Sequence, residues 1–314
     1  MAEPANPTTT TELDAAILDM IAEETILANA QLLRWNYAAS VRKGGAIGSA
    51  VRFPIMNAIA VQTTALPAAS NPAPVQLTDT YATITPTEYG LPVELAKELI
   101  RQSQAQVQRD AISVITQNMA ETRDALAGIA AVGGSTVRFA AGRANAAALT
   151  SADVVTRAEI VRARTALATA LAPRFPDGTY YAFIHPNVNG DLLGSGANAG
   201  DFVDVSKYAA PEFQRAGEIG RWNGFTFFEA SQRTYDDLSA GVANVADRHL
   251  SVFCGAGFLG YAEGVEPAVF PAFEANDRLQ RFLNFGWKGV FGYSRVKETN
   301  GYRIESRSAY ATAP

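Results

Sequence analysis

Residues 255–260 are the part of the sequence whose spacing most suggests chemistry. They read G-A-G-F-L-G, a G-x-G-x-x-G pattern after a hydrophobic run, and the acidic Glu274 follows at about 20 residues, as in dinucleotide-binding turns. Such a site also needs a helix after the glycines and then a parallel strand. Here Gly264 and Pro267 interrupt the chain within a few residues, and about 55 residues remain, too few for the rest of a doubly wound sheet. We therefore predict a strand-to-turn connection without a cofactor, and keep a Gly-rich-loop dinucleotide-binding enzyme as a remote alternative.

Candidates for acid–base or nucleophilic catalysis are few. The sequence holds two histidines, His185 and His249, and no G-x-S-x-G pattern. Ser195 lies between two glycines, but no base can be assigned to it. Because His185 precedes Pro186, it is better explained as a strand-end residue before a helix than as a general base. We predict no catalytic residues and no enzyme activity.

Metal binding and disulfide formation are not indicated either. Cys254 is the only cysteine, which excludes an intrachain disulfide and a cysteine-rich metal site, and its apolar neighbours predict a buried, inert thiol. Asp236 and Asp237 are adjacent, so their side chains point apart, and we predict a solvated loop there. No Walker A sequence is present. The sequence thus predicts no metal ligands and no cofactor.

The composition describes a soluble, folded chain with few charges. The 314 residues are 48% hydrophobic and 18% charged, with a net charge of −5. A length of this kind suggests about two domains, and a negative chain has no general electrostatic attraction for nucleic acid. No run of about 18 apolar residues predicts a membrane span, and acidic residues such as Glu12 and Asp14 argue against a signal peptide. We expect no membrane partner.

The longest periodic stretch, residues 91–132, predicts one helix of about 40 residues that would span about 60 Å. Pro92 suits its first turn, Gly133 suits its end, and Asp124 is assigned to its polar face. The heptad pattern does not hold and the charges exclude a membrane span, so we interpret the helix as a spine. Apolar or small residues recur on its other face in steps of three and four: Ala96, Leu99, Ile100, Ser103, Val107, Ala111, Val114, Ile115, Met119, Thr122, Leu126 and Ile129.

Residues 51–85, which we call the arm, are predicted to form two strands that leave their own domain. The segments Val51–Met56 and 80–85 resemble strands, residues 53–78 contain no charge, and the prolines at 67, 72 and 74 exclude a helix between the strands. A flexible linker is the alternative, but a solvated linker is normally more polar. An isolated apolar hairpin is marginal in water, so we favour an arm that a neighbouring subunit covers. The side chains expected at that contact are Ile59, Val61, Leu66, Pro67, Val75 and Leu77.

The rest of the chain predicts alternating helices and strands before a β-rich C-terminus. Residues 1–9 resemble a disordered tail, and a helix follows from Thr10 or Thr11. The elements predicted after the spine are strand 136–140, helix 152–171 capped by Thr150 or Ser151, strand Tyr180–Ile184, helix 187–193, the hairpin Glu218–Trp222 and Phe225–Glu229, and strands Arg248–Cys254, 278–296 and 302–308. Together they predict an α+β protein with an α/β middle.

Two segments of that middle resemble a known family. Residues 180–193 read YYAFIHPNVNGDLL, and residues 202–231 read FVDVSKYAAPEFQRAGEIGRWNGFTFFEAS. Together, and with the H-P and G-E-I-G-x-x-x-G segments at this spacing, they are similar to the middle domain of tailed-phage major capsid proteins. The order of elements along the whole chain resembles the same fold, which is shared with encapsulin shells and the herpesvirus capsid floor.

The resemblance implies a domain organisation. It implies an N-terminal arm over residues 1–45, an extended E-loop hairpin over 46–88, and an α/β axial domain over 140–250. A peripheral domain over 89–139 and 251–314 would carry the long spine helix and the returning strands. The last strands would cross between the axial and peripheral domains.

The resemblance also implies a function. The chain is expected to be a structural subunit that self-assembles as hexamers and pentamers into the icosahedral head shell around phage double-stranded DNA. A separate scaffolding protein and a portal would be partners, and the packaged DNA would be enclosed without sequence-specific binding. The expected location is the virion capsid, assembled in the host cytoplasm. An encapsulin-type nanocompartment shell that holds enzyme cargo is the alternative with the same fold.

Overall fold

The structure is a computed structural model that describes residues 34–43, 49–57, 59–63, 65, 74–96, 107–194, 218–230, 235–236, 248–272 and 281–310. Within these ranges the chain forms three α-helices and thirteen strands, which confirms the predicted α+β class. The elements are β1 Ala39–Lys43, β2 Val51–Met56, β3 Asp79–Ile84, β4 Thr87–Ala96, α1 Val107–Val132, β5 Val137–Phe139, α2 Arg157–Thr169, β6 Tyr180–Ile184, α3 Pro186–Gly194, β7 Glu218–Trp222, β8 Phe225–Glu229, β9 Tyr235–Asp236, β10 Arg248–Cys254, β11 Leu259–Ala272, β12 Phe282–Arg295 and β13 Gly301–Ser306.

A four-stranded sheet in the order β1-β11-β12-β4 supports α1. Strands β11 and β12 form a long antiparallel hairpin, β4 pairs antiparallel with β12, and β1 runs parallel to β11. Phe285, Trp287, Phe291 and Tyr293 lie at even spacings along β12, so one face of the sheet is apolar. The packed cluster between helix and sheet contains Ile112, Ile115, Met119, Tyr261, Val269, Phe285, Trp287 and Phe291.

The predicted start of the spine helix is wrong. Residues 91–96 belong to β4, and the helix is described over Val107–Val132, 26 residues that span about 39 Å. Tyr89, Val93 and Leu95 alternate along β4 and pack on the cluster beneath α1. A spacing of two is a strand period, whereas the helix prediction rests on the steps of three and four that begin at Ala96, and pairing with β12 fixes residues 91–96 as a strand. Residues 97–106 lie outside the described ranges.

A seven-stranded mixed sheet forms the second layer, in the order β5-β13-β10-β6-β8-β7 with β9 beside β10. Helices α2 and α3 cover one face with Ile160, Ala163, Leu167, Val188 and Leu192. The other face packs on the C-terminal part of α1 through Ala127 and Ala131. The single helix α1 therefore contacts both sheets, as expected of a spine.

Most of the remaining predicted elements are found near their predicted positions. The strands of residues 180–184, 225–229 and 248–254 match, and Asn223-Gly224 forms the hairpin turn with φ of 50° and 78°. Helix α2 begins at Arg157, however, and not at residue 152. The Asp153 carboxylate instead accepts the backbone N–H of Thr150 at 2.7 Å, which closes a turn before the helix. The predicted N-terminal tail and helix, residues 1–33, lie outside the described residues.

Candidate assembly interface

The arm is a hairpin whose two strands are in register from Val51 opposite Ile84 to Met56 opposite Asp79. Beyond the ladder, the N–H of Asn57 donates to the carbonyl oxygen of Thr78 at 3.2 Å. The hairpin therefore continues past the last strand residues. The guanidinium of Arg52 lies 4.7 Å from the centre of the Tyr81 ring, a cation–π contact across the two strands.

The base of the arm belongs to the core of the subunit. Phe53 and Ile84 are buried against Ala262 of β11. The close approach depends on Gly260, where a Cβ would stand 2.6 Å from a methyl of Val296 and 2.9 Å from Ile84. The last glycine of the G-x-G-x-x-G pattern is thus needed for packing of the arm.

The far half of the arm contributes large exposed apolar side chains. Val61 is 85% exposed and Val75 is 70% exposed, and Met56, Ile59 and Leu77 are also exposed. They lie at or beyond the end of the hairpin ladder, on the two chain segments that leave it. Of the six predicted contact residues, the structure brings Ile59, Val61, Val75 and Leu77 to this end of the arm. Leu66 and Pro67 lie outside the described residues.

The glycine motif itself is a strand–turn–strand connection, as predicted. Strand β10 ends at Cys254, the turn contains Gly257 at φ 74°, and β11 begins at Leu259. A Cβ at Gly255 would stand 2.6 Å from the carbonyl oxygen of Pro173, so this glycine also permits close packing. A strand, and no helix, follows the turn in the described chain, and Glu274 lies outside it. The helix N-terminus that would bind a pyrophosphate is absent from this connection.

The side chains of the two histidines are in contact, which the sequence does not predict. The rings of His185 and His249 lie with their centres 4.7 Å apart. The N–H of Asn187 donates to Nδ1 of His185 at 3.2 Å, and burial lowers the pKa of His185. This places His185 at the N-terminus of α3, as the strand-end interpretation predicted. Ser195 lies outside the described residues.

The other sequence-predicted groups are structural or lie outside the description. Cys254 is fully buried, and burial raises the pKa of its thiol, so the thiolate does not form. Asp236 is in β9, whereas Asp237 lies outside the described ranges. Among the described residues, His, Cys, Asp and Glu form no group of three that could hold a metal ion. No helix within the described ranges is long and apolar enough to cross a membrane.

A buried polar contact joins α1 to the segment before β1, and the sequence does not predict it. Asp124 was assigned to the polar face of the spine, but it is buried and its Oδ1 accepts the backbone N–H of Trp35 at 3.1 Å. Burial raises the pKa of this carboxyl to about 6. Next to it on α1, Arg123 donates to the hydroxyl oxygen of Tyr261 at 3.2 Å. The sequence gives no signal for either contact because the partners are distant in the chain.

The chain is similar in structure to several solved phage capsids. It superposes on a chain of the capsid of Ralstonia phage GP4 with a TM-score of 0.73 and 11% identity, covering 91% of this chain and 92% of that one. For a chain of the cyanophage Pam1 capsid the TM-score is 0.60 and the identity 16%, and the match covers 83% of this chain and 85% of that one. For the head of Helicobacter pylori bacteriophage KHP40 the TM-score is 0.59 and the identity 14%, and the match covers 89% of this chain and 91% of that one. No protein-family model matches the sequence, and no curated protein matches it.

These similarities extend over most of both chains, and at sequence identities of 11–16% they show the fold alone. The chain has the phage major capsid protein fold. The resemblance that residues 180–193 and 202–231 carry in the sequence is confirmed at this level.

Proposed function

We propose that the chain is the structural subunit that self-assembles into the icosahedral head shell around phage double-stranded DNA. The observation that carries this proposal is the arm, whose base is part of the core while its far half exposes large apolar side chains. The similarity to phage capsid chains supports the same function. The virion capsid is the corresponding location, and the host cytoplasm is the proposed place of assembly.

The energetics of the arm suit a repeated intersubunit contact. Each aliphatic side chain that a neighbour fully buries contributes about 1.5–3 kcal/mol. Ordering the chain segments at the end of the arm offsets part of this at roughly 1–2 kcal/mol per residue. The margin for each subunit is small, so a stable shell depends on many copies of the contact. Ile59, Val61, Val75 and Leu77 are exposed in the subunit and available for it, and we include Leu66 and Pro67 in the proposed contact.

We further propose the domain organisation of this fold for the chain. The N-terminal arm would comprise residues 1–45, the E-loop 46–88, the peripheral domain 89–139 and 251–314, and the axial domain 140–250. The four-stranded sheet with α1 supports the peripheral assignment, and α2 and α3 on the seven-stranded sheet support the axial one. Strand β13 pairs within the seven-stranded sheet, as expected of a last strand that crosses between the two domains.

The proposed partners are other copies of the chain, in hexamers and pentamers, together with a scaffolding protein and a portal. DNA would be enclosed without sequence-specific binding, in agreement with the net charge of −5. A role in structure, not catalysis, fits the fold and the buried or structural positions of Cys254 and His185. An encapsulin-type shell is less well supported because the similar structures reported above are phage capsids.

The decisive experiment combines Val61→Asp with Val75→Asp. Both side chains are exposed in the subunit, so its melting temperature should change little. Particle yield on a sucrose gradient, checked by negative-stain microscopy, should collapse because an unpaired buried carboxylate costs several kcal/mol. The matched control, Val61→Ile with Val75→Ile, keeps both sites apolar and should form particles. Wild-type-like particles from the Asp variant, or an unfolded Asp subunit, would refute this role for the arm.

A further inference from the structure

Leu171 follows α2 in a backbone conformation that favours glycine. Its φ is 53°. The helix ends in a Schellman motif, in which the N–H of Ala172 donates to the carbonyl oxygen of Leu167 at 3.0 Å and that of Leu171 donates to Ala168 at 3.1 Å. The residue with positive φ in this motif is usually glycine because a Cβ is disfavoured there. A leucine at this position therefore costs the subunit stability.

The Leu171 side chain gives no packing in return, since it is 85% exposed. The turn that presents it is nevertheless held on both sides. The hydroxyl of Tyr180 donates to the carbonyl oxygen of Ala172 at 3.1 Å, and the N–H of Ala256 donates to that of Pro173 at 2.9 Å. A residue that adopts an unfavourable backbone conformation, with no stabilising contact of its side chain to compensate, is expected at functional positions.

Leu171 also continues an exposed line along α2. Ile160, Ala163 and Leu167 face the core of the seven-stranded sheet, and the opposite face is exposed. Val161 on that face is 42% exposed. The exposed residues at spacings of four and three, which we call the α2 stripe, are Arg157, Val161, Arg164, Ala168 and Leu171.

We propose that the α2 stripe contacts a second copy of this chain in the shell, with Leu171 as its apolar anchor. The proposal rests on the proposed shell function and names one of its contacts. The exposed face of α2 carries Arg157 and Arg164, and also Arg162, which forms an ion pair at 3.1 Å with the buried Glu159, the one acidic residue of the helix. A second copy has a net charge of −5 and is therefore complementary to this face as a whole. A rigid aliphatic anchor fits a protein surface, whereas DNA phosphates attract charge alone.

The first test is Leu171→Gly, which should act in opposite directions on subunit and shell. Glycine removes the strain, so the melting temperature of the unassembled subunit should rise by about 2 °C. Particle yield should fall by about tenfold or more because the anchor is lost. A variant that assembles like wild type, or whose subunit melts at a lower temperature, overturns the proposal.

Two further variants separate backbone strain from the side chain. Ala141 is also exposed, has a φ of 54°, and can lose only a methyl group. Ala141→Gly should therefore raise the melting temperature and leave particle yield unchanged. Leu171→Asn tolerates the conformation but is polar, so it should reduce yield without destabilising the subunit. Normal yield from Leu171→Asn overturns the anchor, whereas absence of particles from wild type overturns the shell function as well.

The partner is identified with Leu171→Cys. Cys254 is fully buried, so residue 171 becomes the thiol that a maleimide can reach on the described surface. Labelling should be fast in the subunit and at least about tenfold slower in particles. A benzophenone maleimide at this thiol should yield, in particles, a product of twice the 33.4 kDa subunit mass. Equal labelling rates, attachment to DNA, or a product with a different protein mass overturns a second copy as the partner.

Discussion

The backbone N–H of Trp35 donates to Oδ1 of Asp124 at 3.1 Å, although 89 residues separate them in the chain. This contact fastens the segment before the arm to the spine helix. Trp35 is fully buried and Asp124 nearly so, and the carboxylate also interacts with Arg34. The desolvation of the carboxyl is the largest effect, since its pKa rises to about 6 in spite of these favourable contacts.

The first prediction concerns pH. The folded pKa of Asp124, about 6, is above the unfolded value of 3.8, so the folded state binds more protons between these values. Protonation of this carboxyl contributes at most about 3 kcal/mol to the free energy of unfolding; the contribution is present below about pH 4 and is lost as pH rises through about 6. Asp124→Asn keeps an acceptor for Trp35 and does not titrate. Urea unfolding of both proteins from pH 4 to 7 should show the variant gaining stability relative to wild type as pH rises, and a constant difference would contradict the prediction.

The second prediction concerns the turn before α2. Arg143 donates to both oxygens of Asp153, at 2.9 and 3.1 Å, and this contact lowers the pKa of the Asp153 carboxyl. A lowered folded pKa gives stability that is present above the unfolded pKa of 3.8 and is lost as pH falls through the folded value. Asp153→Asn should cost about 1–3 kcal/mol at pH 7 and less at pH 2. Urea unfolding at the two pH values measures this, and an equal cost at both would exclude the ionic contribution.

The third prediction concerns the glycine motif. Gly260→Ala places a methyl group 2.6 Å from Val296 and 2.9 Å from Ile84, so we expect a loss of about 1–3 kcal/mol through overpacking at the base of the arm. Gly134→Ala is the matched control, since its nearest neighbouring atom would be 3.7 Å away. Thermal unfolding compares the two variants.

The same motif is expected not to bind dinucleotides. Nicotinamide or flavin dinucleotides should leave the melting temperature of wild type unchanged, and saturable binding that Gly257→Val abolishes would contradict the structural role.

Local signals in the sequence were sufficient where one residue pair decides the backbone. Asn223-Gly224 predicts a two-residue turn, and both residues have the positive φ that such a turn requires. The charge-free composition of residues 53–78 likewise predicts a segment that does not belong wholly to the core, and Val61 and Val75 are exposed there. In both cases the physical cause lies within the segment itself.

The features that the sequence did not predict depend mainly on contacts between distant parts of the chain. The helix prediction extends the steps of three and four back to residue 91, but Val93 and Leu95 lie in β4, where β12 pairs Phe285 with Val93. Asp124 was placed on the polar face because the partner that makes its burial tolerable, the N–H of Trp35, is remote in sequence. Leu171 was assigned to the last turn of a helix, and a leucine there does not announce a left-handed conformation.

The last prediction concerns the side chain of Trp35, which stacks on Phe183 with ring centres 4.4 Å apart and planes inclined by 21°. The indole is fully buried between the spine helix and the seven-stranded sheet. Trp35→Ala should cost about 3–5 kcal/mol because it leaves a cavity where two layers meet. Trp35→Phe retains an aromatic ring against Phe183 and should cost clearly less, about 1–2 kcal/mol. Both variants keep the backbone N–H that donates to Asp124, but only Trp35→Phe also keeps the site filled, and the desolvation that raises the pKa of the Asp124 carboxyl depends on that filling. Urea unfolding at pH 4 and pH 7 should therefore show the pH dependence of wild type in Trp35→Phe. Equal losses for Ala and Phe, or a changed pH dependence in Trp35→Phe, would contradict a stabilising role of the aromatic stack that is independent of the Asp124 carboxyl.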